Sequence, residues 1–410
     1  MKRSRKSLNQ LGATLAIASS GLLALQCHAN DSLGLADQIE VGGQVNVEHR
    51  QFFSSGEQGQ GKGQSSVVAA PEFYWQSEQS NGSFTFTPFY RLDSLDDERT
   101  HGDIREALYL TYWDDYELRA GVGKVFWGVT ESSHLVDVIN QADAIESLDS
   151  EDKLGQPMVH FTSIKEWGTL DALVLPYFRE RTFAGVDGRI RPTLPVSNEA
   201  LYESSREEKH IDTAFRYSQM LGDWDIGLSY FYGTNRDPYY QLNMGSSPVT
   251  LQPYYAQMSQ VGLDVQGIVG DWLLKLESIY RDSFDNHTGL ATGFEYTIVG
   301  PFESYWDVGL IAEYLYDSRG NNAQTPNQND IFAGVRLALN DEDGTEVLTG
   351  ITQDLDHSDV YSAKLEASSR ITNQLKWQVD AWLFENETPT DLLFFARKDD
   401  FVEVSLEYYF

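Results

Sequence analysis

Apolar and polar side chains alternate with period two in strand-length segments through much of the chain. Trp224, Ile226, Leu228, Tyr230 and Tyr232 alternate with Asp225, Gly227, Ser229 and Phe231. Trp306, Val308, Leu310, Ala312, Tyr314 and Tyr316 alternate with Asp307, Gly309 and Glu313. Ile331, Ala333, Val335, Leu337 and Leu339 repeat the pattern, as do Leu375, Trp377, Val379, Ala381 and Leu383. A period of two sends successive side chains to opposite faces of a β-strand. A tilted strand of about ten residues crosses a membrane's hydrocarbon layer, so the pattern predicts one face toward lipid and one toward a wet interior. A soluble sandwich alternates too, but has no need of aromatic residues at one end of nearly every strand.

The connections alternate as well. Short links fall near 80–82, 114–115, 166–168, 221–223, 270–271, 300–304, 341–344 and 372–373. Between them lie mostly longer, more polar links at 54–66, 94–103, 127–156, 181–209, 236–252, 282–288 and 317–329, a short one near Asp356, and one at 386–398. Short turns at one end and long loops at the other are the asymmetry of a transmembrane barrel. The reading is an all-β, antiparallel, up-and-down barrel of about 18 strands, with about 16 as the alternative. Trp75, Trp113, Trp167, Trp224, Trp272, Trp306 and Trp377 all sit close to the short turns, as an aromatic girdle at one interface requires.

Between Trp127 and Pro157 the alternation stops. Leu135, Val138, Ile139, Ala142 and Ile145 recur at three- and four-residue spacing behind Ser132 or Ser133, which predicts a short capped amphipathic helix. Such an apolar face needs a surface, and the nearest is the barrel's inner wall. The expectation is a third extracellular loop folded into the lumen, with Glu131, Asp137, Asp143 and Glu146 at the pore constriction. The alternative lays the helix on the rim. The polar strand faces supply a lumen wall of Arg119, Arg216, Lys275, Glu277, Glu313, Arg336, Lys364, Arg370 and Asp380, either to order permeating solutes or to brace the wall.

The two ends carry addresses. Leu406, Tyr408 and Phe410 close an alternating final strand, and a terminal aromatic there resembles the assembly signal of bacterial outer-membrane barrels. This implies the barrel-assembly machinery as a partner in biogenesis. Residues 1–29 contain no acid, begin with Lys2, Arg3, Arg5 and Lys6, and continue into an apolar core, which predicts a signal peptide cut after Ala29 and one barrel domain over 30–410. Cys27, the one cysteine, would leave with the signal.

Composition then narrows the partners. The 410 residues hold 62 acidic and 30 basic side chains, a formal charge of -32 that becomes -36 once the four basic residues of the leader are removed. Nucleic acid is excluded as a partner, because a phosphate-reading surface must be basic. The mean hydropathy of -0.40 excludes a bundle of membrane-spanning helices and leaves a barrel open, since half of each strand faces water. Acidic loops predict divalent cations bridging to lipopolysaccharide, and a lumen that favours cations.

Together these features resemble a porin-type outer-membrane barrel whose third loop folds inward. The stretch Gly123-Lys124-Val125-Phe126-Trp127-Gly128, followed by Asp137-Val138-Ile139-Asn140-Gln141-Ala142-Asp143, is similar to a group of uncharacterised proteobacterial barrels, with Gln141 where that group has proline. The resemblance implies a passive channel for small hydrophilic solutes in the outer membrane of a Gram-negative bacterium, with lipid and lipopolysaccharide around it and no cofactor or metal. A non-conducting or partner-gated barrel, serving export, structure or adhesion, is the alternative. An outer-membrane enzyme would have to build on His210 with Asp212 or on Asp356-His357-Ser358, and neither arrangement supplies a triad. The segment 56–62 has phosphate-loop spacing up to Lys62 but Gly63 in place of a Ser or Thr, and 341–344 lacks the spaced ligands of a calcium loop.

Overall fold

The computed structural model describes residues 39–410 except Gln79, so the predicted leader at 1–29 lies outside the described residues. Val41–Phe410 make up one compact unit. In chain order its strands are β1 (Ile39–Phe52), β2 (Gly63–Gln76), β3 (Gly82–Asp93), β4 (His101–Trp113), β5 (Tyr116–Gly123), β6 (Gln156–Lys165) and β7 (Gly168–Leu175). Then come β8 (Leu201–Tyr202), β9 (Asp212–Leu221), β10 (Trp224–Thr234), β11 (Tyr239–Asn243), β12 (Thr250–Tyr255), β13 (Gln257–Val269) and β14 (Trp272–Asp282). The last are β15 (His287–Val299), β16 (Asp307–Asp317), β17 (Asn329–Ala338), β18 (Glu346–Asp354), β19 (Val360–Thr372), β20 (Leu375–Asn386) and β21 (Phe401–Tyr409). The short strands β8, β11 and β12 form a separate three-stranded sheet within the loops.

The other strands make one 18-stranded sheet in which chain neighbours pair. The last strand returns to the first, with Gln44 opposite Tyr409 and Phe52 opposite Phe401 in antiparallel register. The sheet is therefore a closed barrel with no edge. The strand count is 18, and the alternative of 16 falls away.

Closure gives each strand an inside and an outside. On β10, Leu228, Tyr230 and Tyr232 are exposed while Ser229 and Phe231 are buried. Leu406 and Tyr408 on β21, and Phe410 just past its end, all lie exposed on the outer face, at 43%, 44% and 37% of full exposure. Glu277 and Glu313, on β14 and β16, are almost fully buried inside. Apolar groups out and charged groups in is the reverse of a soluble protein, and an apolar belt of this extent requires lipid around it.

The connections divide as the sequence predicts, into short turns at one end and mostly longer loops at the other. Gly222 and Gly270 stand at two-residue turns with φ of +66° and +63°, a conformation that glycine adopts without strain. The seven tryptophans gather at the turn end, with Trp113, Trp167, Trp224, Trp272 and Trp306 exposed. The helix expected within 127–156 is not formed, and no α-helix occurs among the described residues.

Leu365, exposed near the middle of β19, tests the lipid face. Leu365→Arg should destabilise the barrel by about 2–4 kcal/mol in reversible unfolding from lipid vesicles. The substitution Ser362→Ala on the lumen face of the same strand, where Ser362 borders the internal cavity, should cost far less.

Candidate functional site: a loop anchored inside the barrel

After β5 the chain leaves the wall and turns inward. Its path over 124–155 is set by two wall carboxylates. Glu277 Oε1 accepts from the backbone N–H of Val129 at 2.7 Å, the N–H of Thr130 at 3.1 Å and the Thr130 hydroxyl at 2.8 Å, and Oε2 accepts from Val136 N at 3.1 Å. Glu313 accepts from Glu131 N at 2.7 Å, Ser132 N at 2.8 Å and the Ser132 hydroxyl at 2.6 Å. Trp127, Val136, Val138 and Ile139 then pack on the inward residues Met158, Leu173, Ala214, Phe231, Met258 and Ile279.

This anchoring explains the missing helix. The N–H groups that would open an i to i−4 ladder are turned to the wall, and Ser132 bonds Glu313 instead of capping. Asn140 closes the base of the loop: its Oδ1 accepts from Val125 N at 2.9 Å, and its Nδ2 donates to Gly123 O at 2.9 Å and Leu154 O at 2.8 Å. Val138, Ile139, Ala142 and Ile145 are buried, as their spacing predicts, on an irregular backbone.

Each of the four predicted constriction acids has a basic partner. Glu131 lies 2.7 Å from Arg336 and 3.7 Å from Lys275. Asp137 lies 3.1 Å from Lys153 within the loop itself. Asp143 lies 2.6 Å from Arg105 and accepts from the Thr182 hydroxyl at 2.7 Å, in the neighbouring loop. Glu146 accepts from Arg91 Nε at 2.8 Å. Glu131, Asp143 and Glu146 fasten the loop to other elements, while Asp137 cross-links it internally. His101, Asp143 and Glu146 bring potential metal-ligand atoms within 4.8 Å, but Arg105 and Arg91 already occupy the two carboxylates.

The wall residues sort by task. Arg216 donates to Asp264 at 2.7 Å and lies 5.5 Å from the Trp127 ring. Lys364 lies 2.6 Å from both Asp149 of the loop and Glu366 of its own strand. Burial alone would raise the Asp149 carboxyl, yet the Lys364 ammonium outweighs it and holds the group below its ordinary range. Arg119 pairs with Glu117 at 2.7 Å, and Arg370 lies 5.6 Å from the Tyr409 ring near the turn end. Asp380 accepts from Gln378 at 3.0 Å and has no basic partner in ion-pair contact among the described residues.

A cavity of about 350 Å³ remains between residues 144–152 and the wall. It runs from Gln44 and Glu407 near the turn end up to Arg189 and Ile190 in the loops. Ten acidic and four basic side chains line it. A second cavity of about 270 Å³ lies on the far side of the loop, where Lys153, Arg181, Arg236, Arg281 and Arg319 gather, and Asp149 and Trp382 border both. Sequence reasoning missed Glu48, Arg50, Arg91, Arg99 and Arg105. The signal was available: Gln44, Asn46, Glu48 and Arg50 alternate with Val45, Val47 and His49 along β1.

Elsewhere, His210 Nδ1 lies 2.8 Å from Asp212, which is itself committed to Arg236 at 2.6 Å. The 341–344 turn is tied by Thr345 to the Asp341 carboxylate at 2.8 Å and 2.7 Å, so that acid serves the turn.

No protein-family model matches the chain, and no curated protein matches it in sequence. Solved structures do. A BenF-like porin from Pseudomonas fluorescens Pf-5 superposes with a TM-score of 0.53 at 10% identity, over 92% of this chain and 99% of that one. Pseudomonas aeruginosa OccK8 (OprE) gives 0.51 at 12% identity over 92% and 99%, and OccK11 (OpdR) gives 0.51 at 10% over 92% and 96%. The likeness shows the fold: a closed 18-stranded barrel of the porin type.

Glu277→Ala should release the loop from the wall. Amides of Val129, Thr130 and Val136 should exchange at least about tenfold faster, a local loss of roughly 1.4 kcal/mol or more, while the strands keep their protection.

His134 adds a pH dependence. Burial lowers its pKa, but the Glu277 carboxylate 3.9 Å away raises it by more, so the folded value lies above the ordinary one. A raised folded pKa means that this contribution is complete below about pH 6.5 and is lost as the pH climbs through the folded value. Proteolysis within 124–155 should be faster at pH 8 than at pH 6, and His134→Gln should flatten the difference.

Proposed function

We propose that the protein is a passive diffusion channel of a Gram-negative outer membrane, carrying small hydrophilic solutes with a preference for cations. The observation that carries this reading is the polar cavity between the inward loop and the β1, β20 and β21 wall, lined from the turn end to the loops. Its surplus of acidic over basic side chains supports cation preference, because like-signed walls concentrate the opposite charge. Glu131, Asp143 and Glu146 act here by position, holding the 127–156 loop where it narrows the lumen, and Asp137 braces the loop internally through Lys153. The aromatic girdle and the closing Leu406, Tyr408 and Phe410 support outer-membrane residence, with cleavage near Ala29, assembly-machinery recognition and lipopolysaccharide contact as parts of the same proposal.

A second reading, a barrel shut until a partner moves the loop, draws on the firmness of the loop's attachment at Glu277 and Glu313. Planar-bilayer recording separates the two. Discrete conductance, with a reversal potential in a KCl gradient on the potassium side, is the expected outcome. Arg91→Gln, which removes one positive charge from the cavity wall and leaves Glu146 without its arginine and Glu48 with Arg99 alone at 3.5 Å, should raise the potassium-to-chloride permeability ratio by about twofold to threefold. Absence of current at every salt concentration would overturn the open-channel reading.

A further inference from the structure

We infer that the acid-lined cavity between the inward loop and the β1, β20 and β21 wall is a binding site for organic cations, solutes bearing ammonium or guanidinium groups, and that it selects them during passage. The inference rests on the channel reading and deepens it.

Three carboxylates stand side by side across the inner wall. Glu366 on β19 lies opposite Asp380 on β20, and Asp380 opposite Glu403 on β21. Like charges directly opposite in a sheet are unfavourable unless something answers them. Lys364 answers Glu366 at 2.6 Å and Arg50 answers Glu403 at 2.7 Å. Asp380, in the middle, meets only the Gln378 amide, at 3.0 Å, among the described residues. Across the cavity the loop adds Glu151 and Asp152. Burial pushes both carboxyls up, and the charges of Asp149 and Glu146 respectively push them further; Lys364, 3.9 Å from Glu151, and the charges of Lys124 and Arg105 on Asp152 offset only part of that rise.

The cavity's basic groups are already committed. Arg91 is held by Glu146 and Glu48, Arg99 by Asp93 at 3.0 Å, and Arg189 by Asp399 at 2.6 Å. What remains is capacity to accept. Asn46 and Gln64, both lining the cavity and more than nine-tenths buried, show this independently of the acids. Asn46 Nδ2 donates to Glu48 at 2.9 Å and Gln64 Nε2 to Asp93 at 3.1 Å, which fixes the amide orientations. Their carbonyl oxygens are left without a donor. A ligand rich in N–H groups satisfies them, whereas an anion does not.

Trp382 supplies the organic preference. It follows Asp380 on the inward face of β20, borders the cavity, and already has Lys364 Nζ 5.4 Å from its ring centre. An aromatic face beside a carboxylate suits an alkylammonium or guanidinium ion. A small metal ion fits less well: the carboxylates of this row do not bring three ligand atoms within 4.8 Å of one another.

The test compares wild type, Asp380→Asn and Trp382→Leu in planar bilayers, with 1,4-diaminobutane as probe and glutarate as an anion of similar size. Diaminobutane should interrupt the potassium current in wild type, with an apparent affinity at least about tenfold weaker in Asp380→Asn and also weakened in Trp382→Leu, while glutarate should have no such effect. Equal block in wild type and Asp380→Asn, or glutarate acting as well as the diamine, would overturn the inference. If wild type passes no current, the channel reading fails and the site is judged by tryptophan-fluorescence titration of the folded barrel with diaminobutane. Saturable binding that Asp380→Asn weakens sustains the site; no saturable binding overturns it.

Discussion

The pairing of β21 with β1 is the interaction on which everything else depends. A strand facing hydrocarbon cannot leave an N–H or C=O unpaired, because no water is there to replace the missing bond. Nine consecutive residue pairs, from Gln44 with Tyr409 to Phe52 with Phe401, close the sheet and remove its edges. Once closed, the sheet has an interior, and period-two alternation becomes a division between a lipid side and a lumen. An open sheet of the same sequence would have no lumen to receive the charged faces of β14, β16 and β20.

Closure creates a second problem, which the loop addresses. A lumen of 18 strands is too wide to be filled by wall side chains alone. The segment 124–155 enters it and brings its own apolar patch, but the contacts that fix its route are polar. Glu277 and Glu313 serve as fixed acceptors for donors the loop cannot pair internally, so a buried carboxylate and an irregular backbone satisfy one another. The electrostatic consequence is a lumen split by the loop into an acid-rich compartment and one in which five basic and four acidic side chains nearly balance.

The alternation from Trp224 to Tyr232 needs no distant partner to be read, since the pleat alone decides which residues share a face. Turn lengths and the tryptophan girdle are legible for the same reason. The loop is the instructive failure. Leu135, Val138, Ile139, Ala142 and Ile145 have helical spacing, and they are largely buried where a helix would have buried them. Yet the hydrogen bonds that decide the backbone run to Glu277 and Glu313, well over a hundred positions along the chain.

Charge shows the same boundary. Which residues face the lumen follows from parity along each strand, and Arg216, Lys275, Glu277, Glu313, Lys364 and Asp380 could be assigned that way. Whether a given acid is free or neutralised could not. Glu146 meets Arg91 from another hairpin, and Asp149 meets Lys364 from the far side of the chain. Periodicity is a local property, fixed by the geometry of one strand, and it established the barrel. Ion pairing across the lumen depends on how strands and loop converge in space, and only the closed barrel reveals that Asp380 has no ion-pair partner among the described residues.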